Sequence, residues 1–222
     1  MTKKTKVRLI ALIAFLIFST IANAISIRTG IGQIFPEDEN FEYYPTHFFG
    51  EFGLDIAPAV SAHIGARYIF FGKIRSDFFE ESVDNAYYDA YPVGFQRRIN
   101  GLGTYLKAMV QPKIGENTKI APYGSLSSGF HFVYPTVKMI YNCGEAEETV
   151  ESVESPATVP FAMASAGLEI ILQKIGIFAQ ANYIKSAKIS YEPFMPANDI
   201  ELSPGGEVDP SGIQVFIGVS FR

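Results

Sequence analysis

The sequence predicts an all-β fold, an eight-stranded antiparallel up-and-down barrel that crosses a membrane. Apolar and polar residues alternate with a period of two in eight segments, as half-buried strands do. Short and long connections between these segments alternate strictly along the chain. No segment beyond residue 24 approaches the run of about 20 apolar residues that a membrane-spanning helix needs.

The N-terminus has the pattern of an export signal. Basic residues occupy positions 3, 4, 6 and 8, and an uncharged apolar run follows from Leu9 to Phe18. Ala22-Asn23-Ala24 then supplies the small residues that a signal peptidase requires. An uncleaved anchor is the alternative, but the run is short of the roughly 20 residues of a spanning helix. We therefore predict a signal peptide at residues 1–24 and one mature barrel domain at residues 25–222.

Each predicted strand has one apolar and one polar face. The clearest is 48–56, in which Phe48, Phe52 and Leu54 share one face while Glu51 and Asp55 share the other. The same alternation is found, in chain order, at residues 25–32, 48–56, 62–73, 102–111, 123–132, 162–172, 177–183 and 213–221. The apolar faces carry no charged residue, as contact with hydrocarbon requires.

The connections give the orientation. Short turns are predicted around Pro58, 115–117 and 174–175, and long loops at 36–46, 74–99, 136–158 and 188–211. Both ends of the mature chain then lie on the side of the short turns, which is the arrangement of outer-membrane barrels with short periplasmic turns and long external loops. All but four of the 23 acidic residues lie in the long loops.

Closure and a filled interior follow from physical chemistry. Backbone groups in hydrocarbon must all be paired, so the first strand must pair with the eighth. Eight strands leave a bore only wide enough for side chains, and buried charges there need partners. We predict a lumenal charge network that plugs the barrel, with a gated ion or solute path as the alternative. Its members are Arg28, Glu51, Asp55, His63, Arg67, Lys73, Lys107 and Glu169.

The last third of the chain resembles a known family. Residues 166–170, a short turn and residues 177–183 resemble the penultimate hairpin of small outer-membrane barrels of the OmpA transmembrane domain, OmpX and OmpW type. The segment 212–221 is similar to the C-terminal signal that the outer-membrane assembly machinery reads, with Gln214, Phe216, Gly218 and Phe221 as its residues, although Arg222 follows Phe221 here. The resemblance implies a monomeric or loosely associated barrel in a Gram-negative-type outer membrane, in contact with lipid and lipopolysaccharide. It does not specify a function.

Enzyme chemistry has little support in the sequence. No Gly-x-Ser-x-Gly or His-Glu-x-x-His motif occurs, and His47, His63 and His131 lie on three different strands. Cys143 is the only cysteine, so we interpret it as an ordinary loop residue. The net charge of −5 argues against nucleic acid as a partner. We expect neither an active site nor a cofactor.

The long loops carry the features that favour surface interaction. Their acidic runs at 37–42 and 145–154 have the ligand type that Ca²⁺ prefers, but no EF-hand spacing occurs, so we interpret them as solvated surface without a metal. The second long loop contains six aromatic residues that could contact an external ligand: Phe78, Phe79, Tyr87, Tyr88, Tyr91 and Phe95. A structural or adhesin-like role is the interpretation we favour.

Two other functions remain open at this point. A narrow channel or a route for small hydrophobic compounds, as in OmpW-like barrels, would be marked by an apolar lumen. A soluble lipocalin-like carrier would need polar residues outside and apolar residues inside, and the chain has no Trp for the Gly-x-Trp signature of that class.

Overall fold

The computed structural model describes residues 25–38, 44–74, 91–116, 118–143, 146–153, 155–191 and 206–222. The predicted signal peptide lies outside these residues. No helix within the described ranges is long and apolar enough to cross a membrane. The strands are β1 (Ile25–Pro36), β2 (Thr46–Ala57), β3 (Val60–Ile74), β4 (Tyr91–Val110), β5 (Thr118–Cys143), β6 (Ala146–Val153), β7 (Ala157–Leu172), β8 (Ile175–Ser186), β9 (Ile189–Tyr191), β10 (Gly206–Val208) and β11 (Gly212–Phe221).

Eight of these strands form a closed antiparallel barrel, which confirms the predicted fold class. The order is β4-β3-β2-β1-β11-β8-β7-β5, and β5 pairs with β4 to complete the ring. The first barrel strand pairs with the last over ten positions, from Ile27 opposite Phe221 to Pro36 opposite Gly212. The closure that hydrocarbon demands is therefore made at the β1–β11 seam.

The seam depends on glycine. Gly30 and Gly218 lie opposite each other across it. A Cβ atom on Gly218 would lie 2.2 Å from the carbonyl oxygen of Thr29 and 2.5 Å from the Phe178 ring. A side chain at this position would therefore collide with both the neighbouring strand and the interior packing.

The outside of the barrel is apolar along the strands. Large apolar side chains alternate with buried ones. Ile27, Phe52, Leu106 and Ile217 are examples, and their exposure lies between 48% and 66%. Exposed tyrosines lie toward the long-loop ends of the strands, where amphipathic rings suit a membrane–water interface. They are Tyr44, Tyr68, Tyr134 and Tyr183. This surface is suited to hydrocarbon and not to water.

The structure corrects the predicted bounds of the long loops. The segment predicted as loop at 74–99 includes the start of β4 at Tyr91, and the segment at 136–158 includes the end of β5 and all of β6. Cys143 is the last residue of β5 and not a loop residue. Pairing of β5 with β4 and β6 extends these strands beyond the predicted limits. Most of the aromatic residues predicted to form a contact surface, at 78, 79, 87 and 88, lie outside the described residues.

Candidate functional site in the barrel lumen

The interior of the barrel is filled by three layers of side chains. Inward-facing residues of the eight strands alternate with the outward-facing ones, so each strand contributes at successive levels. A charged layer lies at the short-turn end, a polar and aromatic layer lies in the middle, and an apolar layer lies at the long-loop end.

Glu51 is one centre of the charged layer. Lys107 Nζ donates hydrogen bonds to both carboxylate oxygens of Glu51 at 2.9 Å. The Tyr105 hydroxyl donates to Oε1 at 2.8 Å, and His63 Nδ1 lies 3.7 Å from Oε2. Ser61 holds the other side of the His63 ring, with Oγ 2.8 Å from Nε2. All these groups are buried, so the ion pair is shielded from solvent.

Glu169 is the second centre of the charged layer. Gln111 Nε2 donates to Oε2 at 2.5 Å, and the Ser220 hydroxyl donates to Oε1. Two cations approach the same carboxylate: Arg28 Nη2 lies 3.8 Å from Oε2, and Arg222 Nη2 lies 3.3 Å from it. Buried carboxylates are stabilised by such partners, and four side chains together provide the Glu169 carboxylate with hydrogen bonds and positive charge.

Arg28 links the charged layer to the aromatic packing. Its guanidinium carbon lies 4.1 Å from the centre of the Phe178 ring and 4.5 Å from that of Tyr123. Its Nη1 donates to Met109 Sδ at 3.1 Å. Cation–π contacts gain strength when the cation is desolvated, and Arg28 is 1% exposed.

The middle layer is organised around Arg67. Its Nη2 lies 2.5 Å from His131 Nε2, and its Nη1 donates to Gln214 Oε1 at 3.4 Å. The Phe161 ring lies 4.0 Å from the guanidinium carbon and stacks on His131 at 4.2 Å. His47 lies at the upper side of this layer, with its ring edge-on to Phe216 at 5.5 Å.

Little space remains between these layers. A cavity of about 10 Å³ lies between the charged and middle layers, bounded by Glu51, Arg67, Tyr105 and Asn182 among others. A single water occupies about that much space, so the described side chains fill the bore instead of lining a channel.

The apolar layer is a feature that the sequence did not reveal. It consists of buried residues from five barrel strands together with one residue from each strand of the β9–β10 hairpin, which covers the mouth: Ile34, Ile69, Ile99, Val133, Val159, Ile189 and Val208. Arg97 fastens this lid, since its guanidinium carbon lies 4.1 Å from the centre of the Tyr191 ring. Lys188 and Glu207 pair across the hairpin at 3.1 Å on its exposed side.

Most of the predicted lumenal residues lie inside, but two need comment. Arg28, Glu51, His63, Arg67, Lys107 and Glu169 are buried in the interior. Asp55 is not part of their network: its carboxylate is 34% exposed at the short-turn end and pairs with Lys113 at 3.6 Å. Asp55 lies at the short-turn end of β2, where the barrel interior is open to water. The alternation of apolar and polar residues continues to this end of the strand, so the sequence does not show where the closed interior stops. The side chain of Lys73 lies outside the described residues.

Sequence reasoning missed Arg222, Gln111 and Tyr105 as members of the charged layer. Gln111 and Tyr105 lie on the predicted polar face of their strand, but they are uncharged, so the predicted charge network did not include them. Arg222 follows the last strand, where no periodicity specifies a direction. The predicted assembly-signal residues lie as follows: Gln214 and Phe216 are buried, Gly218 lies at the seam, and Phe221 faces outward.

Known proteins resemble this chain in fold. No protein-family model matches it, and no curated protein matches it. Among solved structures, it is similar to the attachment invasion locus protein Ail of Yersinia pestis, with 13% identity, 89% of this chain and 97% of that chain covered, and a TM-score of 0.40. It is similar to the N-terminal β-barrel domain of OprF from Pseudomonas aeruginosa, with 12% identity, 89% and 96% covered, and a TM-score of 0.37. It is also similar to Neisserial surface protein A, with 8% identity, 89% and 96% covered, and a TM-score of 0.46.

The described residues hold no group of three or more histidine, cysteine, aspartate or glutamate side chains placed to bind a metal ion. Parts of both acidic runs predicted as solvated surface lie outside these residues, at 39–42 and at 145 and 154.

Proposed function

We propose that the protein is an integral outer-membrane barrel with a plugged lumen, and that it acts through its external surface as an adhesin-like binding protein. The apolar exterior and the filled, charged interior support the first part. A soluble carrier would need these two faces exchanged, so the lipocalin-like interpretation is disfavoured.

The observation that carries the surface role is a wall of three strands beyond the barrel. β5 pairs with β7 only as far as Val133, opposite Ala157. Above that level β5 continues between β4 on one side and β6 on the other, from Thr136 opposite Val153 to Cys143 opposite Ala146. Within the described residues β6 has β5 as its only partner strand, and its other edge pairs with none of them.

A free strand edge can bind an extended segment of another protein. The unpaired N–H and C=O groups supply affinity through added strand pairing, and the side chains supply selectivity. The β6 sequence AEETVESV contains Glu147, Glu148 and Glu151. This composition favours a partner segment that is both extended and basic, and the attraction should weaken with salt.

Proline substitutions in β6 test this role. Neighbouring residues of a strand direct their N–H groups to opposite sides, so Thr149→Pro and Val150→Pro remove one donor from the β5 ladder and one from the free edge. The probe is a synthetic peptide of alternating lysine and valine, measured against the barrel in lipid nanodiscs, with a glutamate–valine peptide as control. We expect salt-sensitive binding of the basic peptide by wild type and by the variant that loses an N–H on the β5 side. The variant that loses an N–H on the other edge should not bind the peptide, and its barrel should keep the heat-dependent shift in detergent gels. Equal binding by both variants and wild type would contradict strand addition.

Planar-bilayer conductance tests the plug. At about pH 7.5, where unperturbed histidine is neutral, we expect the purified barrel to show no discrete openings. Frequent openings of the wild type under these conditions would contradict the plugged lumen and favour a channel.

A second candidate function is passage of small hydrophobic compounds, and the apolar layer at the long-loop end favours it. The charged layer beneath argues against complete passage, because an apolar solute would have to displace paired, buried charges. Cells that express the barrel should take up naphthalene no faster than cells without it. Uptake that is faster in cells with the barrel, and that is lost when the β9–β10 hairpin is cross-linked to the barrel strands, would favour this alternative.

A further inference from the structure

An open groove lies on the outer wall of the barrel beside the β1–β11 seam. Its volume is about 580 Å³, and residues of β1, β2 and β11 line it. Ile31, Val215 and Ile217 form its apolar part, and Phe35 lines it near the long-loop end of β1. These side chains face away from the lumen, so in the membrane the groove meets lipid and not the interior packing.

Two polar side chains lie in this groove. Gln33 of β1 is exposed on the outer face, and Thr46 at the start of β2 is its partner across the sheet. Both lie toward the long-loop ends of their strands, where the exposed tyrosines of the barrel are also found. An amide and a hydroxyl are therefore present at the level of the membrane–water interface, where lipid headgroups join their acyl chains.

The polar pair is not satisfied by the barrel itself. Thr29, further from the long-loop end on the same face of β1, donates its hydroxyl to the Phe49 carbonyl oxygen at 2.9 Å. Within the described residues, neither the Gln33 amide nor the Thr46 hydroxyl has such a partner. Polar groups without hydrogen bonds are costly in contact with hydrocarbon, so the groove favours a ligand that brings donors and acceptors to this level.

An aromatic pair borders the groove. The rings of Phe35 and Tyr44 lie 4.9 Å apart between centres at an angle of 53°, and the two residues are 39% and 62% exposed. Sugar rings pack their C–H faces on exposed aromatic rings of this kind. None of the described residues that line the groove is charged, so recognition here depends on hydrogen bonds and packing.

We propose that this groove binds a glycolipid of the outer leaflet, with an acyl chain over the apolar part, its ester or amide linkage hydrogen-bonded to Gln33 and Thr46, and a sugar ring against Phe35 and Tyr44. Pockets that combine apolar walls with a few placed polar groups are typical of specific ligand sites. The site lies on the barrel wall and does not involve β6, so it is independent of the proposed strand addition.

Native mass spectrometry of the full barrel in detergent tests the site. The probes are rough-type lipopolysaccharide, which is a glycolipid, and phosphatidylglycerol, which has ester-linked acyl chains and a negative charge but no sugar ring. We expect the glycolipid to bind at concentrations about tenfold lower than phosphatidylglycerol. Equal binding of the two lipids would overturn the proposal.

A double variant assigns the binding to the polar pair. Gln33→Leu and Thr46→Val replace the polar groups by apolar ones of similar size, and both positions face outward, so the barrel should keep its heat-dependent gel shift. We expect its affinity for the glycolipid to fall about tenfold, because two hydrogen bonds are lost. Thr104→Val is the matched control, since it removes an exposed hydroxyl of β4 outside this groove, and it should bind as wild type does. Unchanged affinity in the double variant, or an equal loss in Thr104→Val, would overturn the proposal.

Tyr44→Ala tests the sugar contact separately, and it serves if the double variant does not fold. Tyr44 precedes β2 and is largely exposed, so the strands do not depend on its ring. We expect weaker binding of the glycolipid and unchanged binding of phosphatidylglycerol. Unchanged binding of the glycolipid, or an equal loss for both lipids, would overturn the proposed recognition of a sugar.

Discussion

Arg222 Nη2 lies 3.3 Å from Glu169 Oε2, so the last side chain of the sequence turns into the barrel at its short-turn end. Its guanidinium also donates to the Gln111 side-chain oxygen, and its backbone N–H donates to the Lys174 carbonyl at 2.9 Å. Arg222, one residue beyond β11, therefore contacts the charged layer from the short-turn end.

Arg222→Ala should destabilise the barrel. The substitution removes a charged partner from a fully buried carboxylate, and charge-assisted hydrogen bonds are worth about 1.5–3 kcal/mol. We expect a loss at the lower end of that range, because the Arg222 side chain is 16% exposed and Arg28 still faces Glu169. Urea unfolding in detergent, followed by the heat-dependent gel shift, measures it.

Arg222→Lys is the control for this prediction. It keeps the charge but lacks the planar group that reaches both Gln111 and Glu169, so it should recover part of the stability. An Arg222→Ala barrel as stable as wild type would show that the contact contributes nothing.

Breaking the Glu51–Lys107 pair from one side should cost more than replacing both partners. Glu51→Ala leaves the Lys107 ammonium buried without its carboxylate, which costs about 3–5 kcal/mol. The double variant Glu51→Leu/Lys107→Met removes both charges and should regain most of that loss. A double-mutant cycle on the free energy of unfolding measures the coupling.

The matched control is the pair of Asp55 and Lys113. Both side chains are about one-third exposed and lie 3.6 Å apart, so Asp55→Ala should cost less than about 1 kcal/mol. Equal costs for Glu51→Ala and Asp55→Ala would contradict the assignment of Glu51 to a shielded interior network.

The barrel could be predicted from the sequence because membrane and lumen impose opposite demands on alternate residues. Phe52 and Ile217 face outward while Glu51 and Gln214 face inward. The same alternation of apolar and polar residues is present in the sequence of these strands. Six of the eight residues predicted to face the lumen are buried in the structure. Asp55 was misplaced because the alternation of β2 continues past the point where the interior is closed to water.

The features that were missed depend on contacts between distant segments. Ile189 and Val208 pack into the barrel mouth from a segment predicted as loop, and three-residue strands are too short to show a period. The wall formed by β4, β5 and β6 was missed because it is held by pairing of β5 with β4 and β6, which lie apart in sequence. Pairing of this kind is not visible in the pattern of any one segment.

Tyr191→Ala should loosen the lid. The substitution removes the ring that lies 4.1 Å from the Arg97 guanidinium carbon, and partly desolvated cation–π contacts are worth about 0.5–2 kcal/mol. We expect faster amide hydrogen exchange at Ile189 and Val208, with the exchange of β11 unchanged. Tyr191→Phe keeps the ring and should behave as wild type. Equal protection of the hairpin in Tyr191→Ala and wild type would show that Arg97 does not fasten it.

Gly218→Ala should impair closure of the barrel, and Gly50→Ala should not. The added methyl at Gly218 would lie 2.2 Å from the Thr29 carbonyl oxygen, so β1 and β11 would have to move apart at the seam. The same methyl at Gly50 meets nothing within 4 Å, although Gly50 also lies in the middle of a strand. Refolding from urea into detergent, scored by the fraction with the folded gel mobility, compares the two. Similar yields for both variants would show that the seam tolerates a side chain and that closure does not depend on the Gly30–Gly218 pair.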